Sequence, residues 1–165
     1  MRSLTIMQPA TVDALLALQL FHVLFLSLHD WVPLGTLNDV TAVRAANGRL
    51  LANTVISVIP YAFGLAGSVV YLGGPYPAWL LGWLWISYTA LFLGELRAWW
   101  IPYLLLPEPA RAARYQAMFG RTHAFLPERN GIRPNTLHVI LHVATLTTLV
   151  LLGTLTVERT WGRFC

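Results

Sequence analysis

The sequence contains no lysine; all 11 basic residues are arginine. It has one cysteine, Cys165, at its last position, so no disulfide framework, thiol pair or cysteine-based metal site can form within one chain. Charge is scarce: 11% of residues are charged, against about 25% in an average soluble domain. Eleven basic and seven acidic side chains cannot cover a soluble protein of 165 residues, though they suffice for the loops of a membrane protein. Several chemical signatures are also missing. There is no phosphate loop, nucleotide fingerprint, serine–histidine motif, HExxH zinc-protease motif or nucleic-acid module, so the basic net charge of +4 suits lipid headgroups rather than DNA. No internal repeat or low-complexity stretch is present. The all-arginine set fits either coding bias or selection for anion-binding forks.

What is there is apolar. Hydrophobic residues make up 56% of the chain and mean hydropathy is +0.59. Residues 14–32, 50–72, 78–105 and 137–157 form four apolar segments. Each approaches or exceeds the roughly 20 residues that span a bilayer. The second and fourth carry no charge, and the third none before Glu95. The expected fold is therefore all-α, a single-domain integral membrane four-helix transmembrane bundle. Arg2 ahead of an apolar run resembles a secretory leader. No small-residue cleavage site follows, and the run passes into His29, Asp30 and Trp31, so a retained helix is expected.

The connections are unequal. Gly73-Gly74-Pro75-Tyr76-Pro77 predicts a tight turn. Residues 33–49 predict a short helix over 39–46, capped by Asn38 and stopped at Gly48. Residues 106–135 predict a second surface helix starting at Pro109, with Arg111 and Arg114 on one side and Ala113, Met118 and Tyr115 on the other. Asn130-Gly131 marks a turn, and Asn135 is a cap for the last helix. With four spans, Arg44, Arg49, Arg97, Arg111, Arg114, Arg121, Arg129 and Arg133 fall on one side, and Arg2, Arg159 and Arg163 on the other. That asymmetry puts the long loops in the cytoplasm and both termini outside a bacterial inner or plasma membrane. Trp31, Trp99, Trp100 and Tyr103 on one side, and Tyr71, Tyr76 and Trp79 on the other, suit interfacial belts.

Polar residues inside spans should face the interior. Gln19, His22 and His29 share a face of the first helix, Asn53, Ser57, Tyr61 and Ser68 one of the second, Tyr88 and Glu95 one of the third, and His138, His142 and Thr145 one of the fourth. At about 1.5 Å per residue, His29, Glu95, His138 and His142 reach the same half of the bundle. The pair His138 and His142 at i, i+4 can chelate a divalent metal, with Glu95 or His29 completing the site. Haem held by His22 or His29 opposite His142 is a further option, as are proton handling at Glu95 and plain helix–helix bonding. Membrane desaturases and hydroxylases use such pairs with additional His-rich boxes, which are absent here, and no family is named. Arg121, His123, Arg129 and Arg133 are the candidates for an anionic headgroup or ligand at the loop side.

Three functions stay open on these residues. One is a non-catalytic or accessory membrane component, either a homo-oligomer or part of a larger membrane complex. A second is a membrane-embedded enzyme or metal/redox protein built on the His/Glu site. The third is a small proton-coupled carrier using Glu95. The partners expected are the lipid bilayer and its anionic headgroups, with no nucleic acid.

Overall fold

The computed structural model describes the backbone of residues 9–161 and the side chains of residues 10–159. Arg2, Arg163 and Cys165 lie outside the described residues. Within them the chain is helical and has no strand. The helices are α1 (Pro9–Leu28), α2 (Val40–Ala46), α3 (Leu50–Val70), α4 (Ala78–Glu95), α5 (Ile101–Leu104), α6 (Pro109–Phe119) and α7 (Thr136–Trp161), with a π-turn at Leu96–Trp100 joining α4 to α5. Four stretches are long and apolar enough to cross a membrane: Ala10–Leu28, Leu50–Val70, Ala78–Leu104 and Thr136–Arg159.

The first apolar helix starts before the expected residue 14 and ends at Leu28 rather than 32. Pro33 disfavours helix in the residue ahead of it, and the freed carbonyls find another donor. Asn38 Nδ2 donates to the carbonyls of His29 (2.6 Å) and Val32 (2.8 Å). That engagement also corrects the expected cap of α2. Asp39, not Asn38, accepts from the Ala42 N–H at 2.9 Å. Asn135 caps α7 as expected, accepting from the His138 N–H at 3.0 Å.

α1, α3, α4 and α7 close a ring in which each packs on two others. Cross-helix contacts give the directions. Trp31 and His22 meet Thr54 and Tyr61, Gly64 and Gly67 meet Leu84 and Leu80, and Glu95 and Trp100 meet Thr145 and His142. Rising numbers on one helix meet falling numbers on its neighbour, so adjacent helices are antiparallel. A Cβ on Gly64 or Gly67 would stand 2.8 Å from a leucine methyl of α4. Small residues here let the two helices approach closely.

The burial pattern is inverted relative to a soluble bundle, whose apolar side chains lie inside. Ile56, Val70 and Ile86 are 69%, 76% and 71% exposed, whereas Gln19, His22, Thr145 and Thr148 are fully buried. Not every aromatic at a helix end faces outward. Tyr76, Trp99 and Tyr103 are buried in the protein, which corrects their placement in interfacial belts.

The two long connections pack on each other. Arg121 pairs with Asp39 at 2.7 Å. The Ala42 amide and that guanidinium hold the Asp39 carboxyl below its usual value. The Thr36 carbonyl accepts from the His123 N–H, and Asn130, at φ +53°, turns the second loop back. α6 lies against the π-turn through Ala112, Tyr115 and Phe119, which pack on Trp99 and Ile132. Ala113 is exposed on α6. Arg111, expected at headgroup level, is instead folded inward, with only 14% of its side chain exposed.

Candidate functional site

Pro102 explains why Arg111 turns inward. Over the π-turn, the Ile101 N–H bonds to the Leu96 carbonyl, five residues back. The next donor in that pattern would be residue 102, serving Arg97, and in an α-helix residue 102 would serve Ala98. Proline has no N–H, so one carbonyl of this pair loses its donor whichever pattern holds. Arg111 Nη1 supplies it, donating to the carbonyls of Arg97 (3.2 Å) and Ala98 (3.1 Å), and the Tyr115 hydroxyl donates to Ala98 as well (3.1 Å). Glu108 holds the guanidinium in place at 3.0 Å and also binds Arg97 at 2.9 Å. Desolvation pushes the Glu108 carboxyl up, but the two arginines outweigh it and hold the group below its usual value. Such π-turns are often found at functional sites.

The π-turn directs two tryptophans at α7. Trp99 lies against His138, ring centroids 4.4 Å apart. Trp100 Nε1–H donates to His142 Nδ1 at 3.0 Å. Indole can only donate, so His142 Nδ1 carries a lone pair and the neutral ring has its proton on Nε2. That Nε2–H is buried and has no partner among the described residues. Glu95, 5% exposed, accepts from the Thr145 hydroxyl on Oε1 at 2.8 Å, while its Oε2 is buried and has no partner among the described residues. Both unsatisfied side chains line one cavity of about 380 Å³. Its remaining walls include Tyr61, Ala90, Leu91, Ala98 and Leu141.

The Thr145 hydroxyl also lies 3.1 Å from His22 Nε2. Glu95 was expected to pair with His29, His138 or a loop arginine. Its hydrogen bond goes instead to Thr145, with His22 next in line. Thr145 shares its face of α7 with His138 and His142 and lies one turn beyond His142, so an offset in depth along α7 decides this.

The candidate metal ligands divide between two settings. Glu95, His138 and His142 border the cavity just described. His29 belongs to a second cavity, also about 380 Å³, with Asp30, Asn47, Asn53 and Arg114, and His138 and Trp99 line both. His29 and His138 do meet, with ring centroids 5.9 Å apart. Their Nδ1–H groups are fixed on the Phe25 carbonyl (2.8 Å) and Asn135 Oδ1 (2.6 Å). His29 Nε2 faces Asp30 at 3.2 Å. Burial raises the Asp30 carboxyl, and His29 lowers it by less. Among the described residues, no three His, Cys, Asp or Glu side chains are placed to hold a metal ion.

The loop candidates do not converge. Arg121 is committed to Asp39, and His123 Nδ1 is hydrogen-bonded to the Thr136 hydroxyl at 2.7 Å. Arg129 lies over the Tyr103 ring at 5.8 Å, and Arg133 borders a small cleft with Glu128 and Gln116. Trp100, Tyr61 and Thr145 were not among the site candidates. Pro102, which strips a carbonyl of its donor, was the signal that could have pointed to Trp100. Comparison with protein-family models, curated proteins and solved structures finds no match.

Proposed function

We propose that the chain is a four-span membrane protein that binds a small neutral amphiphile in the Glu95–His142 cavity. The outward apolar faces and polar interior support the membrane setting. Arginine asymmetry supports cytoplasmic placement of the long loops. The orientation has a direct check. Cys165 is removed and a cysteine placed at Glu128, because the neighbouring Asn130 side chain is occupied by the Pro102 and Tyr103 carbonyls. A membrane-impermeant thiol reagent should label a cysteine at Gly74 in intact cells and leave the one at Glu128 untouched until the cells are opened. Ready labelling of the Glu128 position from outside would reverse the orientation.

One observation carries the binding reading: Glu95 and His142, which line the same pocket, each carry a buried polar atom with no partner among the described residues. Buried polar groups without partners are rare in proteins, and pockets of about 300–1,000 Å³ with few polar groups on apolar walls suit small ligands. The chemistry selects the head group. His142 Nε2–H needs an acceptor. An ammonium ion could satisfy Glu95 but offers His142 nothing. A carboxylate could accept from His142 but would face Glu95, with no arginine among the cavity's wall residues. A hydroxyl both donates and accepts, so it can serve both. In lipid nanodiscs, decanol should perturb Trp99 fluorescence saturably, and decanoate and decylamine should not. His142→Phe should weaken decanol by about tenfold, the worth of one hydrogen bond of about 1.4 kcal/mol. Equal responses to all three probes, or none to the substitution, would contradict the reading.

A second reading has its own support. Thr145 links α4 to α1 through Glu95 and His22, which suits a purely structural role in an accessory component.

A further inference from the structure

His22, Thr145 and Glu95 are joined by two hydrogen bonds, and the hydrogens available on them are constrained. His22 Nδ1 lies 2.7 Å from the Leu18 carbonyl, which can only accept, so Nδ1 carries a proton. Nε2 of the neutral ring is then an acceptor. The Thr145 hydroxyl has one hydrogen and lies within reach of His22 Nε2, Glu95 Oε1 and the Leu141 carbonyl. With one proton shared between His22 and Glu95, the chain can be written two ways. In one, Glu95 Oε1–H donates to Thr145, and Thr145 donates to His22. In the other, His22 Nε2–H donates to Thr145, and Thr145 donates to Glu95. Both forms make both bonds. Without that proton, Thr145 would have one hydrogen for two buried acceptors.

From this geometry we propose that His22, Thr145 and Glu95 form a proton relay across the bundle interior, in which one proton passes between Glu95 on α4 and His22 on α1 through the Thr145 hydroxyl of α7. In the inward step the Glu95 Oε1–H bond breaks as a Thr145 Oγ1–H bond forms. The original Thr145 O–H bond breaks as His22 Nε2–H forms. The products are a Glu95 carboxylate and a His22 imidazolium, and the reverse step returns the proton to Glu95 Oε1. The relay does not rest on the binding reading.

The groups facing the relay come from all four helices. Gln19 lies one turn from His22 on α1. The rings of Tyr61 on α3 and Tyr88 on α4 lie 6.4 and 5.0 Å from that of His22. His138 and His142 on α7 share the cavity with Glu95. Among the described residues, no ion pair or hydrogen bond from an arginine or aspartate reaches the three relay groups.

The test follows the charge state of His22 against pH in nanodiscs by nuclear magnetic resonance of isotope-labelled histidine, with His22→Gln assigning the signal. In the wild-type background, Glu95→Gln should move the pH at which His22 changes charge by about one unit, the size that marks coupled sites. Thr145→Val should abolish that response to Glu95→Gln, and Thr145→Ser should restore it. A His22 signal indifferent to Glu95→Gln would overturn the relay, and so would a response that persists in Thr145→Val. Should Thr145→Val fail to insert, the wild-type and Thr145→Ser backgrounds decide, because a relay requires the response in both. Decanol binding, measured on the same samples, separates the two ideas. Thr145→Val leaves Glu95 Oε2 and His142 Nε2 in place, so binding that survives while coupling is lost supports both. Coupling found in a protein that binds no decanol refutes the binding reading alone.

Discussion

Glu95→Leu is expected to leave the protein as stable as before, or more so, while weakening its binding of a hydroxyl-bearing amphiphile by about tenfold or more. The two halves of that result have separate causes. A carboxyl group in the middle of an apolar span costs about 2.5–3.5 kcal/mol on insertion scales. Glu95 recovers part of this through one bond from Thr145 at 2.8 Å, and its second oxygen recovers nothing. One such bond is worth about 1 kcal/mol net. After the substitution Thr145 can still donate to the Leu141 carbonyl, 3.0 Å away. The net change should favour the variant by about 1–2 kcal/mol. Binding loses the acceptor at Oε2 altogether, and decanol affinity should fall by about tenfold or more. A purely structural role predicts the opposite, because removing the link between α4 and α7 would loosen the bundle. Unfolding in mixed micelles, paired with decanol titration, distinguishes the two. A variant that is destabilised and binds normally would rule out the binding role.

Arg111→Ala should be the most damaging single change outside the four spans, at about 3 kcal/mol or more. The guanidinium has three acceptors: Glu108 Oε2 and the carbonyls of Arg97 and Ala98. Hydrogen bonds involving a charged group are worth about 1.5–3 kcal/mol each, and Pro102, lacking an N–H, leaves one of the two carbonyls without its backbone donor. Lysine cannot replace a planar fork that reaches three acceptors, so Arg111→Lys should recover only part of the loss. Glu108→Gln should weaken the same clamp, and lowering the pH should do so too. The Glu108 carboxyl is held below its usual value in the folded chain, so its contribution is present above the ordinary carboxylate range and is lost as the pH falls through the lowered value. The distinctive consequence lies at a distance. If Arg111 holds the π-turn, its loss should release Trp100 from His142 and shift tryptophan fluorescence. Loss of stability with unchanged tryptophan emission would mean that the π-turn stands without it.

The four long helices were legible because each is an uninterrupted apolar run with few or no charges, and length alone sets the requirement. Depth was legible too. Helix rise and chain direction bring His29 beside His138, and the rings do meet. The finer scale of depth was not. Thr145 shares its face of α7 with His138 and His142, and whether Glu95 meets it or a histidine turns on an offset of about one helical turn between α4 and α7, which sequence spacing does not contain. Helix-end aromatics misled for a related reason. Trp99 and Tyr103 have the composition of an interfacial belt, yet α6 and the 120–133 loop cover them. Arg111 was assigned to the membrane surface by its charge. The competing cause, a carbonyl stripped of its donor by Pro102, sits nine residues earlier and could have been read from the sequence.

The central claim is that a neutral amphiphile occupies the cavity bordered by Glu95 and His142. The most direct test is photoaffinity mapping with a decanol analogue carrying a photoreactive group on its chain, in nanodiscs, followed by peptide mass spectrometry. Adducts should concentrate on the α4 stretch from Ala90 to Trp99 and on His138, Leu141 and His142 of α7, and unlabelled decanol should suppress them. Adducts spread over the outward faces at Ile56, Ile86 and Val150, and indifferent to competing decanol, would contradict the account.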